Sequence, residues 1–566
     1  MTDGAPPSQE QLNTCFEVVR TQFADRGLTA ERLGDAGAGY IGVQLQGATR
    51  TWNLYVACDE TALKLPHLFL AAPRGLLAHV GYSGTVCVND GQGLSLDSDR
   101  HAEIVAYTVL AGFDLLESSA SDADASMDEF FNELEGYWLG LPNALRGRAA
   151  FEVDGQDRLL TGYVKAQNKP PKWYFTERDT PPPTEFYAKK LAGQRALYVH
   201  LDELPMPPAY PDKLSASYLE AVCSKFSAAQ FELWTKLIGP SKNGPKTLTL
   251  LISVPRSAGG RSLVGAVFRA NRGVIDAKAE VTPLTVRRHT PMYMRERGGA
   301  SLELFGKHVA VLGCGAVGSV VADALSASGV GKLTLVDHDE YSEDNIFRHV
   351  LDSLWIDVPK VHGLQYELER KYPGLKVAPV ALTAQEWLRS ANLDDLDGII
   401  LAFGSPSVER SFSRRLRSTS KPLPVVFTWL EALDLGGHSV LIWTNSEGCL
   451  DCLYRDGEGA ATLHPRTSFL KPNQHVSRNL TGCASTFVPF GAIQARRTGL
   501  VAAEHMLSAL CGNTKPSYRF WCGEGTAAAN QGLRTTNWWA VAGQTTQAEA
   551  TRRVFGRACK HCRGTT

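Results

Sequence analysis

The sequence predicts an α/β fold: a Rossmann-like domain over residues 285–566, preceded by an α+β domain over 1–160 and a linker domain over 161–284. Three observations predict it. The apolar run Val309 to Leu312 has the composition of a buried parallel strand, and Gly313, Gly315 and Gly318 follow it as a G-x-G-x-x-G turn into a helix over about Val317–Ser328. Glycine lets the backbone turn sharply and approach a phosphate, and the free N–H groups of a helix start attract negative charge. A second strand, Lys332 to Val336, ends at Asp337, where such folds place a carboxylate on a ribose. Upstream, a helix, three strand-like runs and further helices succeed one another over residues 8–139.

In chain order, residues 8–27 form an amphipathic helix. Ser8 and Gln11 make a capping box, Leu12, Cys15, Phe16, Val19 and Phe23 share one face, and Gly27 stops it. Tyr40–Leu45, Trp52–Cys58 and Leu65–Ala72 are β-rich, with Gly and Asp in their turns, which predicts an antiparallel meander. An irregular segment carrying His79 and Cys87 comes next. Helical stretches follow at about Glu103–Glu117 and Met127–Leu139, separated by the polar Ser118–Ser126. This order resembles ubiquitin-conjugating enzymes, and Gly84-Thr-Val-Cys87-Val is similar to the G-x-I-C-L around their acceptor cysteine. The resemblance implies that Cys87 is a nucleophile. His79 stands at the place of the family's His-Pro-Asn histidine, but Val80-Gly81 follow, so the oxyanion-stabilising Asn is missing. Cys15 and Cys58 fall on apolar periodicities and are expected in the core.

Lys169-Pro-Pro-Lys and Thr180-Pro-Pro-Pro-Thr are stiff, extended punctuation. Strands are predicted at Ala196–Leu201, Thr247–Val254 and Ser262–Arg269, with a helix near Tyr218–Leu237. No motif in this segment points to chemistry.

The run from Asp337 through Arg348 resembles the D-x-D-x-V-x-x-x-N-x-x-R signature of ThiF/MoeB and ubiquitin-activating adenylation domains, with Tyr341 for the Val; Pro359-Lys360 continues the likeness. The resemblance implies ATP with Mg2+, Asp337 on the ribose, and Asn345, Arg348 and Lys360 around the phosphates. Independently, attack of a carboxylate on an α-phosphate builds negative charge that one Arg and one Lys can stabilise. One position departs. After the strand Gly398–Phe403 the family has a magnesium-binding Asp, and here Ser405 stands in Gly404-Ser405-Pro406. Before the first strand, Arg295 or Arg297 stands where adenylating dimers lend an arginine to the other subunit's ATP, so a homodimer through this domain is expected.

Cys449-Leu-Asp-Cys452 and Cys559-Lys-His-Cys562 supply four thiolates, the set that structural Zn2+ favours. The long interval between the pairs is similar to the adenylating family, whose second pair returns near the C-terminus. Cys483 follows a polar loop at Asp456–Asn479. In order and neighbourhood it resembles the cysteine that takes the acyl group in activating enzymes, with His475 and Arg478 as cations to lower its pKa.

A formal charge of −1 over 566 residues argues against a nucleic-acid footprint. No apolar run reaches membrane-spanning length. The N-terminus lacks signal-peptide regions, so a cytoplasmic protein with its twelve cysteines as thiols and metal ligands is expected. Together the domains look like the activating–conjugating fusions of bacterial CBASS antiphage operons and related ubiquitin-like operons. The resemblance implies ATP-dependent activation of a partner's C-terminus, a thioester on Cys483, transfer to Cys87 and conjugation to an amine. The partner would be a ubiquitin-like protein or the CBASS nucleotidyltransferase. A sulfur-carrier activator and a non-catalytic nucleotide-binding scaffold are the alternatives.

Overall fold

A computed structural model describes residues 7–566, apart from 35–36, 49, 59–63, 73, 90–92, 166–171, 179, 181–188, 241–243, 272, 420, 457, 481–485, 513, 557–558, 560 and 563–566. The chain divides into two compact units, Met1–Thr290 and Pro291–Thr566. Among the described residues no helix is long and apolar enough to cross a membrane.

In the first unit, α1 (Gln9–Asp25) starts at the expected box: Ser8 caps Gln11 and the Gln11 side chain returns to Ser8. Its five apolar residues are buried. Strands β1 (Ala30–Arg32), β2 (Tyr40–Gln46), β3 (Thr51–Ala57), β4 (Leu68–Leu70) and β5 (Thr85–Val86) form an antiparallel meander in that order. The strand expected over Leu65–Ala72 is cut to its middle, since only Leu68–Leu70 pairs with β3. The meander, α1 and α2 (His101–Ser121) share one core that includes Cys15 and Cys58.

The polar Ser118–Ser126 is helical rather than a separator. Only Asp122 divides α2 from α3 (Ala123–Asn132), accepting the Ala125 N–H as its cap. The stretch expected as one helix over Met127–Leu139 is α3 plus α4 (Leu134–Gly140), broken at Glu133. These two helices pack on the second sheet, not on the meander. There Trp138 donates Nε1–H to the Gly265 carbonyl at 2.8 Å.

That sheet comprises β6 (Leu145–Ala150), β7 (Arg158–Lys165), β8 (Lys172–Thr176), β9 (Lys189–His200), β10 (Lys246–Pro255), β11 (Arg261–Asn271), β12 (Val274–Ile275) and β13 (Thr282–Arg288). Its order is β10-β9-β7-β8-β6-β13-β11-β12, and β10 also pairs with β11, so the strands close into a ring. Residue 160, the expected domain boundary, lies inside β7. The helix expected over Tyr218–Leu237 is α5 (Ala216–Cys223) and α6 (Ala228–Ile238); Ser227 and Gln230 form a new capping box between them.

The second unit opens with α7 (Pro291–Arg297). A seven-stranded sheet follows: β14 (His308–Leu312), β15 (Lys332–Val336), β16 (Lys376–Val380), β17 (Gly398–Leu401), β18 (Pro424–Leu430), β19 (Gly436–Trp443) and β22 (Ser517–Cys522), ordered β16-β15-β14-β17-β18-β19-β22. The first five strands are parallel and β19 and β22 antiparallel. Helices α8 (Ala316–Ala327), α9 (Lys360–Lys371), α10 (Ala384–Ser390) and α11 (Pro406–Leu416) connect the parallel strands. A two-stranded pair, β20 (Arg478–Asn479) and β21 (Thr486–Phe487), precedes the long α12 (Ala492–Cys511). Three short helices finish the unit: α13 (Thr526–Asn530), α14 (Asn537–Ala542) and α15 (Gln547–Phe555). The strand order turns back at β14, with β15 on one side and β17 on the other. In such sheets a crevice opens beyond the carboxyl ends of the strands at that switch point.

Candidate active site

A cleft of about 380 Å³ opens at the switch point, lined by Gly313, Gly315, Asp337 and Lys360 among others. Two of the three glycines are demanded by packing. Gly313 has φ +87°, and a Cβ on Gly318 would sit 1.8 Å from the Gly313 carbonyl oxygen. Gly315 differs: a Cβ there would meet nothing within 4 Å, so its surroundings are open on the cleft side.

Asp337 is fixed by backbone donors, with Cys314 N–H on Oδ2 at 2.6 Å and Asp339 N–H on Oδ1 at 2.9 Å. Lys360, 6 % exposed, starts α9 and reaches Asp339 Oδ2 at 2.8 Å. Sequence reasoning missed His349. Its Nε2–H donates to the Cys314 carbonyl at 2.7 Å and its Nδ1 accepts the Leu351 N–H at 3.1 Å, so it pins the glycine turn from beneath. Burial pushes its pKa down to about 4, which keeps it neutral. Tyr341 is 1 % exposed, packs edge-on against His349 and donates to the Leu351 carbonyl, which accounts for an aromatic where the signature has Val.

Gly318, Asn345 and Arg348 are not among the described lining residues of the cleft. Asn345 Oδ1 accepts the Ser342 N–H at 3.2 Å, closing a single helical turn. Arg348 is half-buried, donates to the Asp344 carbonyl at 3.1 Å, and lies 4.9 Å over the ring of Phe490. Arg295 is buried, donating to the Gly329 carbonyl at 2.7 Å, so it is not offered to another subunit; Arg297 is exposed.

The family's magnesium position does not fit a protein-held cation. Ser405 offers only a hydroxyl, and the nearest carboxyl on α11, Glu409, is 3 % exposed and turned back to accept the Gly404 N–H at 3.1 Å. Burial pushes its pKa up to about 7. Asp337, His338 and Asp339 present ligand atoms within 4.8 Å of one another, but both oxygens of Asp337 accept backbone N–H groups and those of Asp339 meet Lys360 and His338.

The four-cysteine set does fit a zinc ion. Cys449, Cys452, Cys559 and Cys562 are all buried, with Sγ–Sγ distances of 3.8 Å for Cys449–Cys559 and 3.7 Å for Cys452–Cys562. A zinc–sulfur bond of about 2.3 Å sets a tetrahedral sulfur–sulfur edge of about 3.8 Å. The pairs therefore stand at ligand spacing, far beyond a disulfide bond.

In the first unit Cys87 is exposed at the end of β5, and its N–H donates to the His79 carbonyl at 2.8 Å. It borders two cavities, of about 480 and 600 Å³. His79 lines the smaller one at φ +61°, a strained conformation for a non-glycine residue. Two glutamates of the α3 region hold it there. Nε2 meets Glu129 Oε1 and Nδ1 meets Glu133 Oε1, both at 2.9 Å, while the His79 N–H donates to Glu133 Oε2 at 3.2 Å. Both ring nitrogens are thus used as donors, and neither serves Cys87 as a base.

Glu133, with Glu129, raises the His79 pKa, and His79 in turn lowers that of Glu133. A raised histidine stabilises the folded segment fully below the unfolded value of about 6.5 and loses that stabilisation as pH rises through the folded value. Protection from amide exchange over residues 77–87, corrected for the intrinsic rise of exchange with pH, should therefore fall on the alkaline side. His79→Gln should flatten the profile; an unchanged profile would show that the pair does not hold the segment.

Cys483 lies outside the described residues. Its neighbours on either side, β20 and β21, pair antiparallel, and Phe490 on the segment that follows is the ring beneath Arg348. His475 and Arg478 are exposed. Of the remaining cysteines, Cys314 is fully buried, Cys223 and Cys522 are half-buried and Cys511 is exposed.

Residues 292–529 match the model of the ThiF family. The C-terminal unit is a ThiF-family domain. The chain is also 26 % identical over 502 residues to the ATP-dependent ubiquitin transferase-like protein Cap2 of Pseudomonas aeruginosa, covering 82 % of this chain and 86 % of that one. The ThiF domain is therefore one part of a longer fusion that takes in the N-terminal unit. Over 157 residues the chain is 27 % identical to the molybdopterin-synthase adenylyltransferase of Escherichia coli, 27 % of this chain and 61 % of that protein. Among solved structures, E. coli MccB with MccA-N7isoASN superposes with a TM-score of 0.31 at 15 % identity, over 41 % of this chain and 64 % of that one. Within the ThiF domain, the signal that could have found His349 was in plain view, directly after Arg348. A histidine there carried no sign of its burial.

Proposed function

We propose that the chain activates the C-terminal carboxylate of a partner protein and passes it to an amine through two thioesters. The convergence of the glycine turn, Asp337 and Lys360 on one cleft within a ThiF-family domain carries this reading. The partner carboxylate attacks the α-phosphorus of ATP, and pyrophosphate leaves. Asp337 orients the ribose, Asn345 the phosphates. Lys360, released by Asp339 to the stronger charge of the phosphates, stabilises the transition state together with Arg348. Any magnesium would have to be held by the nucleotide's phosphates, since Ser405 and the buried Glu409 offer it no carboxylate.

The Cys483 thiolate then attacks the acyl carbon and AMP leaves. Cys87 takes the acyl group by transthiolation, returning Cys483 as thiolate, and an amine displaces Cys87 to form the amide. Two thiols in one chain make the second transfer effectively intramolecular. Cys449, Cys452, Cys559 and Cys562 would hold zinc as a structural ion, because four thiolates would leave no ligand position open for chemistry. The partner class is a ubiquitin-like protein or a CBASS nucleotidyltransferase, and the setting is antiphage defence in the cytoplasm, with the ThiF domain paired as a homodimer. The match to a molybdopterin-synthase adenylyltransferase favours, as a second reading, activation of a sulfur carrier without the conjugating step.

The test is a pair of mutants, incubated with ATP and the protein product of the neighbouring gene. Cys87→Ala should still form a thiol-cleavable adduct, held at Cys483. Cys483→Ala should form adenylate but load neither cysteine. Loading of Cys87 in the Cys483→Ala protein would overturn the order of transfer. Absence of any adduct in the wild type, with pyrophosphate exchange intact, would favour the sulfur-carrier reading.

A further inference from the structure

The helix α11 runs from the nucleotide cleft to the cysteine cluster and is held at both ends. At its start, Phe403 and Val408 line the cleft, and Glu409 holds the Gly404 N–H from below. Along one face, at helical spacing, Arg410, Ser413, Arg414 and Arg417 meet the Cys449–Cys452 knuckle and its partner. Arg410 Nε donates to Asp451 Oδ1 at 2.8 Å, while Arg414 donates from Nε to Oδ2 at 2.7 Å and from Nη2 to Oδ1 at 2.9 Å. The Leu450 N–H donates to Ser413 Oγ at 3.4 Å, and Arg417 reaches the Cys562 carbonyl at 3.3 Å. Asp451 is 1 % exposed, although it stands between two metal-ligating cysteines where a spacer residue needs no charge. A buried carboxylate is tolerated only when paired, and this one is paired with two arginines of α11.

We propose that Asp451 is a positioning residue for the adenylation cleft: it transmits the geometry of the four-thiolate centre through Arg410 and Arg414 to the loop at Gly404-Ser405. Zinc fixes the knuckle, the knuckle fixes Asp451, and Asp451 fixes the register of α11. The loop at 404–405 carries no metal-binding carboxylate of its own, so its position depends on the helix behind it. Coupling of this kind is reciprocal: if zinc favours nucleotide binding, nucleotide must favour zinc retention by the same factor. This inference rests on the cleft binding ATP.

The experiment uses the full chain with ATP alone as probe. ATP affinity is measured alongside zinc release to a chelator and amide exchange over residues 404–417. In the wild type, ATP should lower the equilibrium fraction of zinc released to the chelator; in Asp451→Asn the zinc should be retained while ATP binds about tenfold more weakly and no longer lowers that fraction. Asp451→Glu should recover part of the affinity. Full ATP affinity in Asp451→Asn, or no effect of ATP on zinc release in the wild type, overturns the proposal. If Asp451→Asn loses zinc, Arg410→Gln with Arg414→Gln replaces it, and there too unchanged ATP affinity overturns it. A wild type that binds no ATP would sink the reading of the cleft instead. Exchange at 404–408 then decides for the link through Asp451 and α11: it must quicken when zinc is removed, and constancy overturns the proposal.

Discussion

Cys559→Ser is expected to empty the four-thiolate site and release the C-terminal segment from the ThiF domain. The apparent binding free energy of structural zinc is about 10–16 kcal/mol in zinc-finger peptides, and here zinc would tie Cys449 and Cys452 to Cys559 and Cys562. Ala550 and Val554 anchor α15 in the core, but among the described residues the other ties past that helix's last turn are modest. Phe555 packs against the cluster, and Arg417 holds the Cys562 carbonyl. Metal analysis of the wild type should give about one zinc per chain, and the mutant close to none. Limited proteolysis should then cut after α15 in the mutant alone. Full occupancy in the mutant would mean that the C-terminal pair is not a ligand arm.

The second large effect is on chemistry. Lys360→Ala and Arg348→Ala should each lower partner-dependent pyrophosphate exchange by about 10²–10³-fold, the usual consequence of removing one fixed stabiliser of developing charge. Neither change should unfold the domain. Arg348 is only half-buried, and Asp339, the partner that Lys360 would leave behind, is 53 % exposed and can be solvated. Wild-type exchange in a folded Lys360→Ala protein would remove this lysine from the phosphate assignment.

Where sequence carried structure, the signal was local. The capping box at Ser8 and Gln11, the glycine turn and the switch from apolar strand to Asp337 each sit within a few residues, and each forms as expected. The parts that were not legible depend on distant partners. Leu145-Arg-Gly-Arg-Ala-Ala has no alternating apolar face, yet it is β6, because β13 and β8 flank it. Ser118–Ser126 is polar, yet helical, because Ser119 and Ser126 are buried against neighbours. Burial of charge is hidden for the same reason: Asp451 and Glu409 are ordinary acids in the sequence, and only α11 shows what each is for.

The closed ring of strands in the first unit has a consequence for how an extended tail could be captured. A sheet with a free margin offers unpaired N–H and C=O groups on which a visiting chain can be laid as one more strand. Where β10 meets β11 that margin has been sewn shut over ten consecutive residue pairs, from Lys246 with Ala270 to Pro255 with Arg261. The meander's outermost strands, β1 and β5, are three and two residues long. Among the described residues, this unit therefore offers a visiting extended segment little main-chain template.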